Sequence, residues 1–580
     1  MYPALAEIRR ASPLRSMVRS RSGLGPHPHV VACYRGDCLS MRLSRIEITN
    51  HSRIQNLDVQ VRGHAVVVGA NDVGKTSLLR MLHLLLGSTT AQLYQQASAA
   101  DLRDSTVDLV VEAQFGDFTD PERTLFPREI SVDIDDKSES MRVQLVIAAD
   151  PDDDQAITVR RWFPEAGHDR TPTREQLAAF GWRYLPATRG TSASSVDGPN
   201  SALQALLKAV DLGAEKTVLT GLLDDFNAEL GSSATITGLR GDVAAHLSKA
   251  MPRAIAEDDL AVRTAADPAD GVLGSVSMFF ERDGDRVPIS EQSDGLRQLM
   301  SMTLFDLAEG TANVVAIDEP ELHLHPSSQR TLAELFSGAG NQKILATHSP
   351  YIVQRFEPSQ IIAVSPDGVC NQLTADKVTA IEKLRANWWS PRLLEVLTAR
   401  FALVVEGSSD RVIVEAVARL MGVGLDRLGA VVFDLDGAMK FPHVYKLIGK
   451  AGFRVPMLGL VDDAEKGSWL GQVGGKPGDV VGTIVFVSTP DLEAEYCAAL
   501  TGPGVGRALV AAGYCKEAAI LATAGVAAMD DVTDEAMAAY CRKDKVAAAV
   551  AIASQFELVT AMKITSVYNM ITRLQVVGSA

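Results

Sequence analysis

At 580 residues the chain is too long for one hydrophobic core, and about 150 residues per domain gives three to four units. Its 46% hydrophobic and 22% charged content is that of a soluble globular protein, with no apolar run long enough to cross a bilayer. A net charge of −16 excludes blanket binding of nucleic acid but leaves room for a local basic groove, and six scattered cysteines without a Cys-x-x-Cys pair exclude a zinc ribbon or disulfide framework and fit a reducing, cytoplasmic compartment.

Residues 1–40 are rich in Arg, Ser and Pro, with Glu7 and Asp37 their only acids, and read as a disordered extension. Met41 precedes a strand pattern, RLSRIEIT. HAVVVGANDVGKTSLLRMLHLLLG then places an apolar strand before Gly69-x-x-x-x-Gly74-Lys75-Thr76 and an amphipathic helix after it. That context marks a phosphate-binding loop: Gly69, Asn71, Gly74 and Ser77 line the nucleotide, Lys75 reaches the β and γ phosphates, and the Thr76 hydroxyl faces Mg²⁺. From about 171 to 270 the pattern is mostly helical and carries no chemical motif. In PISEQSDGLRQLMSM, Ser293 and Gly295 precede a helix, which taken alone is an N-cap. The strand in NVVAIDEPELHLHP delivers Asp318, to hold Mg²⁺ through water, and Glu319, the general base for an attacking water. KILATHSP ends a further strand at His348, placed to touch a γ-phosphate.

After Phe401 the organisation restarts. FALVVEG, AVVFDLDG, PMLGLVDDAEKG and TIVFVSTPDLEAEY alternate with helical stretches and predict a parallel sheet with carboxylates at its strand ends. Such a cluster suits divalent metals that stabilise the entering and leaving oxygens of a phosphodiester.

With the other three motifs present, Ser293-x-Gly295 resembles the signature of ABC-type ATPases, which implies a homodimer or tetramer sharing its nucleotides. The run Glu319 to Pro326 resembles the recombination and SMC-like branch, and within it the overcoming-lysogenisation-defect (OLD) family; GANDVGKT is similar to the phosphate loop of that family's Gabija defence nucleases. IEITNHSRIQNLDVQV, WRYLPATR and VSMFFERDGDRVPISEQSDG add to the likeness, although relatives often read Asn-Phe-Arg where this chain has Asn50-His51-Ser52. The second half resembles a Toprim domain. The resemblance implies an α/β protein: an ABC-type ATPase domain over 41–395 with a helical dimerisation insertion at about 171–270, then a Toprim nuclease domain with C-terminal helices over 396–580.

It further implies ATP and Mg²⁺ (or Mn²⁺) as cofactors, double-stranded DNA as substrate, a role in antiviral defence and a UvrD-like helicase partner. Carried over, Glu406, Asp410, Asp462, Asp491 and Glu493 hold the metal, and Lys545, with Lys543 as second choice, stabilises the cleaved phosphate. The family's second Asp of Asp-x-Asp falls on Ala464, where Asp463 or Glu465 is the available substitute. Asp434-x-Asp436 matches Asp-x-Asp better literally, but chain order puts Asp434 at the end of the second strand and Asp462 at the end of the third, so the assignment goes to Asp462. Two other readings stay open: an SMC/RecF-like DNA-repair ATPase with a degenerate metal centre, favoured by Ala464, and an RNA-directed nuclease.

Overall fold

The computed structural model describes residues 41–150, 156–167, 170–187, 215–250, 279–282, 285–288, 291–308, 312–373 and 389–579, with a few isolated positions between; the N-terminal forty residues, and the extension expected there, lie outside them. The strands Ala65–Gly69, Val314–Asp318 and Gln342–Ala346 are buried at every position. Continuous burial is the mark of parallel strands covered on both faces. They are central in a six-stranded sheet of order Cys370–Gln372, Ile361–Val364, Ala65–Gly69, Gln342–Ala346, Val314–Asp318, Trp182–Leu185. All its neighbours run parallel except the Cys370–Gln372 edge.

A second, antiparallel sheet is built on Asn56–Gln60, Arg42–Thr49, Leu109–Gly116 and Glu139–Ala149. Glu139–Ala149 alternates cleanly, burying Met141, Val143, Leu145 and Ile147 on one face, as a half-covered antiparallel strand does. That face shares a core with Leu78, Leu82 and Leu85 of the helix Lys75–Leu86, so the phosphate-loop helix is clamped between the two sheets.

The stretch expected to be a helical insertion begins differently. Trp182–Leu185 is the edge strand of the parallel sheet, paired to Val314–Asp318, and Trp182 is buried there. The helices described in the remainder are Glu215–Ser232 and Ala234–Ala250.

The C-terminal half holds a four-stranded parallel sheet of order Ala430–Asp434, Phe401–Val405, Met457–Asp462, Val485–Ser488. The chain leaves its first strand to one side and returns to the other, so a topological switch point lies between Phe401–Val405 and Met457–Asp462, where α/β sheets open a crevice at their carboxyl ends. The helices Leu492–Leu500, Lys545–Ala553 and Thr565–Gly578 complete this half.

One hydrophobic cluster joins the two halves. Val66, Val68, Ile352 and Val353 from the first, Leu393, Leu394 and Leu397 of the helix Pro391–Thr398, and Ala402, Val404, Phe433 and Leu435 from the second are continuous. Among the described residues no helix is long and apolar enough to span a membrane.

Candidate functional site

Two groups of polar side chains sit at strand carboxyl ends. In the first, Gly74 holds φ at +107°, and a Cβ there would meet Ile54 and Arg53 at 3.0 and 3.2 Å. Only glycine fits the loop at that point. Lys75, buried behind it, donates from Nζ to the carbonyls of Gly69 (3.1 Å) and Ala70 (2.6 Å). Burial pushes its ammonium down to about 8, opposed by the charges of Glu319, Glu321 and Asp318. A phosphate entering the loop supplies the counter-charge this lysine lacks.

Asp318 is buried to 1% exposure; the Thr76 hydroxyl and the Ala187 N–H act on its carboxylate, but neither oxygen has a well-formed hydrogen bond. Burial raises its pKa, with the Thr76 hydroxyl and the Lys75 charge pulling the other way. A buried carboxylate left unpaired is costly, so the pair Asp318 and Thr76 fits a divalent cation. Glu319 sits in the left-handed region at φ +46°, held by its N–H to the Ala346 carbonyl at 2.9 Å. Asn71 and Thr76 are exposed at the loop mouth, and Ser77 is half-buried.

His348 ends the adjacent strand, and burial together with the Lys75 charge lowers its pKa to about 4. Its loop is fixed by a residue the sequence reading passed over. Glu321 accepts from the His348 N–H at 2.6 Å through Oε1 and from the Thr347 hydroxyl at 2.8 Å through Oε2. The signal was present as the third residue of Glu-Pro-Glu, but its reach to another strand was not.

Ser293 is exposed at the start of the helix Asp294–Ala308. A Cβ on Gly295 would lie 2.8 Å from the His323 carbonyl, so the signature-like turn packs against the Glu319–Pro326 run of its own chain. His51, in place of the relatives' Phe, is buried and accepts from the Arg53 N–H at 3.0 Å through Nδ1; it serves as a packed turn residue.

The second group surrounds the switch point. Glu406 and Asp462 end neighbouring strands, and the Asp462 N–H donates to Glu406 Oε1 at 2.7 Å. Asp410, one helical turn on, accepts from the Gly407 N–H at 3.0 Å. Lys545, at the start of its helix, reaches Glu493 at 3.0 Å and Asp462 at 3.9 Å. Glu493 is buried, and apart from that ion pair neither of its oxygens meets a donor. Asp462 is pushed up to about 8, by burial first and the Glu406 charge second, with Lys545 opposing; burial pushes Asp410 up to about 6. Crowded carboxylates resist ionising together until a cation joins them. Among the described residues no three acidic, histidine or cysteine side chains stand ready-made around one ion. The residues fit a divalent site in chemistry and charge.

Asp491, expected among the ligands, borders this group: the Lys545 charge reaches it, and the next residue, Leu492, donates its N–H to Asp462 Oδ1 at 3.2 Å. Asp491 caps the helix Leu492–Leu500 through the Ala494 N–H at 2.9 Å and pairs with Arg542 at 2.7 and 3.1 Å. Arg542 was missed because three cations crowd CRKDK and only packing distinguishes them; Lys543 instead lies over the Tyr540 ring, 5.6 Å from its centroid. Asp463 turns out to Lys466 at 2.6 Å, while the Glu465 charge acts on Glu406. Asp436 is exposed and paired with Lys440 at 2.7 Å. Asp434 lies on the far side of the first strand from Asp462, buried and paired with Arg392.

Residues 65–354 match the family described as "AAA domain, putative AbiEii toxin, Type IV TA system", half of the chain, and residues 397–463 match "Overcoming lysogenization defect protein-like, TOPRIM domain". The chain is 20% identical over 419 residues to endonuclease GajA of Bacillus cereus, covering 68% of this chain and 71% of that protein. It is 24% identical over 430 residues to the OLD nuclease of Thermus scotoductus, covering 68% and 77%. Among solved structures, the C-terminal region of the Burkholderia pseudomallei OLD protein aligns at 21% identity over 31% of this chain and 98% of that one, with a TM-score of 0.26.

Proposed function

This chain belongs to the OLD family, an AAA/ABC-type ATPase followed by a Toprim domain, and on that premise we propose that it is an ATP-hydrolysing, metal-dependent DNA endonuclease acting in defence against invading DNA. The observation that carries the reading is the acidic group at the switch point: Glu406 and Asp462 joined at 2.7 Å, with Asp410 and Glu493 beside them and Lys545 reaching in.

In the ATPase half, backbone N–H groups of the Gly69–Gly74 loop cradle the phosphates and Lys75 swings from the loop carbonyls to the β and γ oxygens. Thr76 and Asp318 would hold Mg²⁺, and Glu319 would take the proton of the attacking water. His348, neutral at pH 7, hydrogen-bonds the γ-phosphate without adding charge. Ser293 and Gly295 serve the nucleotide of a second copy, in a homodimer or tetramer.

In the nuclease half, Glu406, Asp410, Asp462 and Glu493 would hold Mg²⁺ or Mn²⁺, together with Asp491, which Arg542 fixes in place. A bound divalent ion supplies Lewis acidity and a more acidic water. Lys545, released from Glu493, places its ammonium on the cleaved phosphate of double-stranded DNA. A UvrD-like helicase is the partner this reading carries with it.

Supercoiled plasmid incubated with the protein and Mg²⁺ or Mn²⁺, with and without ATP, tests it: nicked or linear DNA is expected. Ala464 favours one competitor, an SMC/RecF-like repair ATPase. Active ATP hydrolysis with intact plasmid under every metal would select that competitor.

A further inference from the structure

The buried carboxylate of Asp434 has no place in either site, yet it sits where the two halves meet. It ends the strand next to Glu406's and is buried, paired with Arg392 through Oδ2 while its other oxygen has no partner. Arg392 belongs to the helix Pro391–Thr398, which leads into the Toprim sheet. That helix touches three elements: the phosphate-loop strand Ala65–Gly69, the short helix Pro350–Val353 directly after His348, and the strand Ala430–Asp434. Gln354 Nε2 also donates to the Trp389 carbonyl at 3.3 Å, tying the His348 segment to the start of the connector.

On its other side Asp434 faces the helix Ser408–Leu420, the one that carries Asp410. The Ser408 hydroxyl donates to Asp434 Oδ2 at 3.1 Å. Arg411, held by Glu415 at 2.7 Å, lies within electrostatic reach of Asp434. Arg392 and Arg411 line one cavity of about 480 Å³ along the edge strand, together with Glu395 and Glu415. Asp434 therefore has one cation paired to it, Arg392, and a second, Arg411, whose charge reaches it from a different element; both arginines border the cavity beside its strand. An element with two discrete pairings is what coupling between distant sites requires.

Resting on the ATPase–nuclease reading, we propose that Arg392 and Asp434 are positioning residues that transmit nucleotide state to the acidic group, Asp434 exchanging between Arg392 on the connector and Arg411 on the Asp410 helix. In the Arg392-paired state the connector holds the strand end. In the Arg411-paired state Asp434 draws on the first turn of the Asp410 helix, and Ser408 and Asp410 shift against Glu406. By linkage, whichever state ATP favours is the state that metal and DNA feel, and the reverse holds equally.

Hydrogen–deuterium exchange on the full chain, with and without Mg²⁺ and a non-hydrolysable ATP analogue, tests this without needing DNA cleavage. The parent is expected to show nucleotide-dependent changes at 69–77 and also at 403–411 and 430–437. Arg392→Gln is expected to keep the change at 69–77 and lose it at the other two. Because Arg392→Gln leaves a buried acid unpaired, Arg392→Gln with Asp434→Asn is the companion variant and is expected to behave alike, whereas Arg392→Lys restores part of the response. Unaltered Toprim responses in the double variant, a parent without any Toprim response, or loss of the response at 69–77 as well would each overturn the proposal. A parent that responds in exchange but leaves plasmid intact would speak against the nuclease reading alone.

Discussion

The two acidic sites are built alike and finished differently. Both stand at the carboxyl ends of parallel strands in α/β sheets, where backbone geometry opens a crevice. At the phosphate loop the cation and the acid are kept from pairing: Lys75 donates to loop carbonyls, and Asp318, with the Thr76 hydroxyl acting on it, has no well-formed hydrogen bond. At the switch point the cation is already inside, with Lys545 on Glu493, and Asp462 is held up near 8. The first is pre-organised by a local loop. The second is closed by residues from distant helices, with an internal ion pair already in place.

The sharpest way to break this contrast is to remove one site and measure both activities. Glu406→Ala or Asp462→Ala should cut DNA cleavage by roughly 10³–10⁴-fold, the scale of several kcal/mol of metal-borne stabilisation, with ATP turnover largely kept. Cleavage surviving in Asp462→Ala but lost in Asp436→Ala would sink the assignment of the third strand end. Conversely, Glu319→Gln should lower ATP hydrolysis by about 10²–10³-fold while nucleotide binding persists, as for loss of a general base. Wild-type turnover in that variant would remove Glu319 from the role.

The shared core sharpens the comparison from the stability side. Leu394 is fully buried in the cluster that contains both Val66 and Val404. Leu394→Ala should cost about 2–5 kcal/mol and lower the melting of both halves together by calorimetry. Two separate transitions, only one of them shifted, would mean that the halves do not share that core.

Smaller effects are expected further out. Glu321→Gln should slow ATP turnover by about tenfold, or about 1.4 kcal/mol, because the His348 N–H and Thr347 hydroxyl lose a charged acceptor, while plasmid cutting in the absence of ATP stays unchanged. A KM shift with kcat intact would instead make Glu321 a binding residue. Asp436→Ala should leave both activities and the melting temperature within error, since an exposed ion pair such as Asp436–Lys440 contributes little.

The phosphate loop, Asp318, Glu319, His348 and Glu406 were legible in the amino-acid sequence because each is defined by its own neighbours: an apolar strand, a residue at its end, then a turn or helix. Local periodicity and chain order suffice for such features, and chain order also favoured Asp462 over Asp434. Everything that depends on a partner far along the chain needed the tertiary structure. The strand order set Glu406 beside Asp462, 56 residues away, and Asp434 on the opposite flank. Packing of the C-terminal helices set Lys545 against Glu493, laid Lys543 over the Tyr540 ring and tied Asp491 to Arg542. Trp182–Leu185 joined the ATPase sheet because Val314–Asp318 offered it an open edge, a pairing no local pattern announces. Composition and spacing fix what a segment can form, but which carboxylate meets which cation is decided by burial, where a charge without its partner is too costly to persist.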